Sequence, residues 1–148
     1  MVKRSSGESL YWNLLQVSMR AKKSLAKLAE SNHLNIMQLY VLCSMEHGKV
    51  VPTHFVSSLL TCDASTVTGI VDCLAEKGLV ARAESPQDRR VKFLSLTDEG
   101  EAMKRAILKN MQTFESAALD GLGVVQKGQL QTLLAVILEP HAYSTWHS

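Results

Sequence analysis

Residues 79–84, LVARAE, and 91–96, VKFLSL, read as two strands, and the six residues SPQDRR separate them. Strand-like patterning on both sides of a proline-containing polar turn predicts an antiparallel β-hairpin. Most of the remaining 148-residue chain repeats its apolar residues at helical spacing instead. A two-stranded hairpin is marginal alone in water. The expected fold is therefore mainly α, with one small β-hairpin held against helices.

The helices follow from their apolar stripes. From about residue 9 to 30, Leu10, Leu14, Val17, Ala21, Leu25 and Leu28 form one stripe, and Tyr11, Leu15 and Met19 a second. That is more apolar surface than one partner covers. Ser5 and Glu8 have capping-box spacing at its start. Asn35 is placed to cap a second helix, IMQLYVLCSMEHG, with Ile36, Leu39, Tyr40, Leu42 and Cys43 inward and Gly48 past its end. KVVPTHF is a short extended stretch, after which Pro52 and Thr53 open a short helix to about Leu60. TCD turns the chain, and Asp63 caps the next helix, which ends at Gly78. There Val67, Ile70, Val71 and Leu74 face the core, opposite Ser65, Thr68, Gly69, Asp72 and Glu76. After the hairpin, Thr97 caps a long helix to about Ala118, with Asp98 and Glu99 in its dipole-favoured first turn. LDGLGVV breaks it. A last helix near residues 126–139 carries Leu130, Leu133, Leu134 and Ile137 on one face, and Val136 and Leu138 on another.

Composition excludes several classes. With 46% hydrophobic and 20% charged residues, the chain can bury a real core as one globular domain. A net charge of +2 gives no overall case for nucleic-acid binding, so any such case rests on where the charge sits. No apolar run reaches the length of a membrane span, and MVKRSSGESLYW lacks the apolar stretch of a secretory signal. Cys43, Cys62 and Cys73 are an odd set without paired spacing, as expected of a reduced cytoplasmic protein with no membrane partner. A glycine-rich phosphate loop, a serine elbow and paired carboxylates are all lacking, so neither enzyme activity nor a cofactor is expected.

Two short helices joined by a tight turn and followed by a hairpin make a winged helix-turn-helix, here with flanking helices. The second of the two helices fits a major groove, with Ser65, Thr66 and Thr68 at its N-terminal end to reach phosphates or bases. The hairpin is the wing. Arg89 and Arg90 at its tip, flanked by Arg82 and Lys92, suit the negative potential of a narrow minor groove. Asp88 is placed to orient one arginine by a charge-assisted hydrogen bond. A solvated turn whose charges keep the hairpin soluble gives the same pattern, and spacing alone leaves both readings open.

The stretch ASTVTGIVDCLAEKGLVARAESPQDRRVKFLSLTDEGEAM resembles the MarR family of bacterial winged-helix transcriptional regulators. The resemblance is carried by Thr68, Asp72 and Leu74, by Gly78, Leu79, Val80 and Arg82, by Pro86, Asp88 and Arg90 in the wing, and by Leu96, Thr97 and Gly100. LNIMQLYVL, with Gln38, is similar to the family's second helix, so the likeness spans about Leu34 to Met103. It implies a homodimer on a pseudo-palindromic operator in double-stranded DNA, usually repressing and often released by a small aromatic or phenolic ligand. It also implies that Arg90 is the minor-groove residue and Asp88 its anchor. One departure stands out: Cys73 occupies a position where many relatives carry arginine. The recognition helix then has no basic residue before Lys77, and bidentate guanine contacts from it are unavailable.

On this reading residues 1–33 and 119–148 are dimerisation helices, and residues 34–118 are the winged domain with a linking helix. The two recognition helices of a dimer belong about 34–36 Å apart, one turn of DNA. Tyr11, Trp12, Tyr40 and Phe55 are candidates to line an effector cavity, with ordinary core packing as the competing reading. A winged protein-interaction module that never touches DNA is the alternative class; the near-neutral charge favours it and the paired wing arginines oppose it. A redox sensor would use Cys62, whose thiol precedes a helix N-terminus but adjoins Asp63. Cys43 and Cys73 read as small core residues. A metal sensor would start from Cys43 and His47, four apart, with His33 and His54 near. Zinc needs at least three converging ligands, and no metal site is assigned.

Overall fold

Each long helical stripe forms a helix in the computed structural model, which describes residues 9–138. The order is α1 (Leu10–Ser31), α2 (Ile36–Ser44), β1 (Val50–Pro52), α3 (Thr53–Leu60), α4 (Ala64–Glu76), β2 (Val80–Glu84), β3 (Lys92–Leu96), α5 (Asp98–Ala118) and α6 (Val124–Leu138). The chain divides into two compact units, Met1–Met111 and Gln112–Ser148, with the division inside α5.

The hairpin pairs as expected, with Val80 opposite Leu96 and Glu84 opposite Lys92. The extended stretch before α3 becomes a third strand: β1 pairs antiparallel with β3, Val51 opposite Leu94, giving the order β1-β3-β2. A two-stranded ribbon leaves β3 with an open edge, and three residues suffice to cover it. Pro52 lacks an amide hydrogen, which suits a short edge strand, and it also begins the helical turn of α3.

One core holds the first unit together. Leu39, Val41 and Leu42 of α2, Val56 of α3, and Val67, Ile70, Val71 and Leu74 of α4 are buried with Val80, Leu94 and Leu96 of the sheet. Leu28 and Ala29 of α1, Ile107 of α5, and Leu34, Met45 and Leu79 between elements complete it. Asn35 and Gln38 cap α2 reciprocally: Gln38 N–H donates to Asn35 Oδ1, and Asn35 N–H to Gln38 Oε1, both at 2.9 Å. Those bonds satisfy the backbone N–H and the side-chain oxygen of the buried Gln38.

Several expectations at the ends of elements are corrected. α2 stops at Ser44, because Met45 turns extended and drives its side chain into the core. His47 is consequently not on the Cys43 helix. Tyr40, expected inward, is 46% exposed, while Val41 is fully buried. α6 begins at Val124, where Gln126 Oε1 accepts the Gly123 N–H. The Ser5–Glu8 capping box and Glu139 lie outside the described residues; Ser9 is the N-cap of α1 and makes no side-chain cap bond.

The start of α5 is fastened to the α4–β2 junction. Thr97 Oγ1 accepts the Gly100 N–H at 3.0 Å and donates to the Gly78 carbonyl at 2.6 Å, and Thr97 N–H donates to the Leu79 carbonyl. Gly78 has φ +71°, the left-handed region that closes α4. At Gly100 the backbone of Leu79 comes so near that a Cβ would run into its carbonyl. By contrast, Gly69 lies inside α4 with nothing within 4 Å of a built Cβ. Two alanine substitutions should therefore move stability in opposite directions. Gly100→Ala should destabilise by about 1–3 kcal/mol through overpacking, and Gly69→Ala should stabilise by about 0.5–1 kcal/mol through helix propensity. Urea unfolding of both variants measures this, and the reverse order would refute the packing account.

Candidate nucleic-acid interface

The site is built first by a turn. α3 ends at Leu60, its C-cap Thr61 adopts the left-handed conformation at φ 52°, and Asp63 returns the chain to extended backbone. α3 and α4 are bent by 114° at this break, within the range of a helix-turn-helix. Asp63 Oδ1 accepts the Thr66 N–H at 2.8 Å and the Ser65 hydroxyl at 2.9 Å. The Thr66 amide first, then the Ser65 hydroxyl, holds the Asp63 carboxyl below the usual carboxylate range.

Ser65, Thr66, Thr68 and Gly69 lie exposed on the outer side of α4, opposite its buried apolar stripe. The Thr68 hydroxyl donates back to the Ala64 carbonyl at 2.8 Å. Ser65 and Thr68 thus commit their protons inside the helix and offer acceptor capacity outward.

The wing sorts its charges into two kinds. Arg82 pairs with Asp72 of α4, and Lys92 pairs across the hairpin with Glu84. The first pair ties the recognition helix to the wing; the second follows from the strand register. The guanidinium groups of Arg89 and Arg90 are exposed and have no ion-pair or hydrogen-bond partner among the described residues. Asp88 acts differently from the expected anchor. Its Oδ1 accepts the backbone N–H of Arg90 at 2.9 Å, so it fixes the chain beneath the arginine, not the guanidinium. A bond to the amide two residues on is the usual short reach of an aspartate in a turn.

Sequence reasoning missed the roles of three residues. Asp72 and Glu84 are the acids that hold Arg82 and Lys92, and Ser85 is buried at the base of the wing tip. Hairpin register alone would have paired Glu84 with Lys92, and a serine before proline is a turn signal.

The remaining candidates separate. Tyr11 and Trp12 stand exposed in the first turn of α1, Tyr40 is exposed on α2, and Phe55 packs against the core. Burial pushes the Cys43 thiol up, opposed by Lys104, whose ammonium donates to the Met45 carbonyl; that is the environment of an unreactive thiol. His47 bonds Asp98 at 3.1 Å. No group of three or more His, Cys, Asp or Glu gathers among the described residues, and no single helix among them is long and apolar enough to cross a membrane.

A helix-turn-helix whose second helix is followed by a β-wing, with uncommitted arginines at the wing tip, defines a winged helix-turn-helix protein. Residues 34–92 match the MarR family model. It is 30% identical over 99 residues to the HTH-type transcriptional repressor MdtR of Bacillus subtilis, covering 64% of each chain. It thus spans just under two thirds of that relative. Among solved structures it is similar to a probable transcriptional regulator from Pseudomonas aeruginosa, at 27% identity and TM-score 0.72, covering 88% of this chain and 98% of that one. The fold is shared with a MarR variant from Escherichia coli complexed with operator DNA, at 23% identity and TM-score 0.72, covering 87% and 93%.

The Asp63 cap makes a pH prediction. Its folded pKa is lowered, so its stabilisation is present above the unfolded value, about 3.9, and is lost as pH falls through the folded one. An asparagine at this position would keep the cap without the titration. The melting temperature of Asp63→Asn should therefore fall less steeply than that of the native protein below about pH 4, and parallel acid profiles would remove this role.

Proposed function

We propose that the chain is a sequence-specific DNA-binding transcriptional regulator of the cytoplasm, acting as a homodimer on a pseudo-palindromic operator and repressing from it. One observation carries the reading. Of the four basic wing residues, Arg82 and Lys92 are each held by an acid, while Arg89 and Arg90 stand uncommitted at an exposed tip. Free guanidinium groups on a rigid hairpin suit a narrow minor groove, and a protein interface gives no comparable reason for the pair. The outer side of α4, with Ser65, Thr66 and Thr68, would lie in the adjacent major groove. MdtR, by its name a repressor, supports the direction of control.

The dimer rests on apolar surface. α1 exposes Leu10, Trp12, Val17 and Met19, and α6 exposes Leu133, Val136, Ile137 and Leu138. Covering such faces is the ordinary reason for a second copy. A small aromatic effector is part of the proposal on family grounds, with Tyr11, Trp12 and Tyr40 as the residues to test. Phe55 is accounted for by the core.

The test begins with duplexes selected from random-sequence DNA. Arg90→Ala should weaken binding by about 1–3 kcal/mol per contact and flatten the slope of log affinity against log salt by about one unit per phosphate charge lost. Asp88→Ala should also weaken binding, although it removes a negative charge; tighter binding would sink its role beneath Arg90. Sedimentation at micromolar concentration should show a dimer, and a monomer alone would contradict the assembly.

A further inference from the structure

We propose that Ser85 is the positioning residue of the wing: its hydroxyl holds the tip backbone in the turn that presents Arg89 and Arg90, without itself touching DNA. The inference rests on the DNA-binding reading above. Within residues 85–90 every residue is exposed except Ser85, which is 6% exposed. A buried hydroxyl at the base of a solvated loop needs partners, and it has three. Its Oγ accepts the backbone N–H groups of Gln87 and Asp88, each at 3.3 Å, and donates to Gln87 Oε1 at 3.0 Å.

Those bonds organise the first half of the tip. The Ser85 N–H donates to the Val91 carbonyl at 3.0 Å and closes the loop across its base. The second half is held by Asp88, whose carbonyl accepts the Val91 N–H at 2.9 Å and whose carboxylate accepts the Arg90 N–H at 2.9 Å. Asp88 is thus both the last residue Ser85 fixes and the first to fix Arg90. A serine that bonds the amides two and three residues on mimics a backbone turn. Pro86 restricts the intervening φ. The loop is ordered before it meets a ligand, so docking the two arginines does not have to order it.

This arrangement separates positioning from contact. Removing the Ser85 hydroxyl loosens the tip but leaves every cationic group able to reach DNA. Affinity should fall while the number of phosphates neutralised, and hence the salt slope, stays the same. Removing Arg90 lowers both.

The experiment compares Ser85→Ala, Ser85→Asn and Arg90→Ala in the full chain. Each is titrated against a duplex selected by the native protein, at several salt concentrations, with melting temperatures and amide exchange measured alongside. Ser85→Ala should bind about tenfold more weakly with an unchanged salt slope, an unchanged melting temperature and faster exchange at the Gln87 and Asp88 amides. Ser85→Asn should restore affinity, because its amide oxygen accepts the same two N–H groups. Native affinity or unaltered amide exchange in Ser85→Ala overturns the inference, and so does a salt slope that falls as it does in Arg90→Ala. If Ser85→Ala binds normally while Arg90→Ala is weakened, the wing contact stands and only the role of Ser85 is lost. If both bind normally, the DNA reading of the wing fails with it.

Discussion

The close approach of the α5 N-terminus to the α4–β2 junction is the contact on which the rest of the winged unit depends. Gly78 and Leu79 join the recognition helix to the wing, and both of their carbonyls are taken by Thr97. The absence of a side chain at Gly100 is what allows the first turn of α5 to reach that backbone. Three elements with different tasks therefore share one short stretch of main chain. The recognition helix cannot tilt against the wing without breaking bonds from α5, and the Asp72–Arg82 pair adds a second tie between helix and wing. An exposed ion pair contributes little stability. Its value here is geometric, since it spans the two parts that a groove would have to accept together.

Charge acts in this molecule by placement. A net +2 would make a weak case for any polyanion, and the outer side of α4 even carries Asp72 and Glu76. Pairing Arg82 with Asp72 and Lys92 with Glu84 removes four charges from consideration. What is left at the tip is concentrated, exposed and held on a loop whose Gln87, Asp88 and Arg90 amides are already bonded. Uncommitted charge on an ordered loop is more useful for recognition than a larger total spread over the surface, because neither protein partners nor loop entropy has to be displaced.

The sequence made the large elements legible because their signals are periodic. The buried stripe of α4, the hairpin and the Asp63 and Asn35 caps were all readable, since each is a local pattern with a local physical cause. Boundaries were less legible. α2 ends early because Met45 finds room in a core that only the folded chain defines, and Tyr40 faces out because Val41 is the residue that fits inward. β1 was seen as extended but not as a strand, since its partner lies more than forty residues away. At the site, the residue types stood out in the sequence, but their partners did not. Nothing local shows that Arg82 is held by Asp72, or that Asp88 bonds the amide of Arg90 and not its side chain.

The Cys73 position and the wing together imply how such a molecule could reach useful affinity. α4 offers only short hydroxyl side chains on its outer N-terminal side, with the Ser65 and Thr68 donors taken by Asp63 and the Ala64 carbonyl. Contacts of that kind discriminate weakly by themselves. A single winged unit would then depend on two arginines and the fit of a small helix face. In the proposed dimer, joining two such units through the apolar surfaces of α1 and α6 would make the second docking intramolecular and raise its effective concentration. On that argument the proposed dimer would be a condition of binding, because one protomer's recognition surface is sparse. The exposed apolar faces and the modest DNA-facing chemistry are two sides of one design.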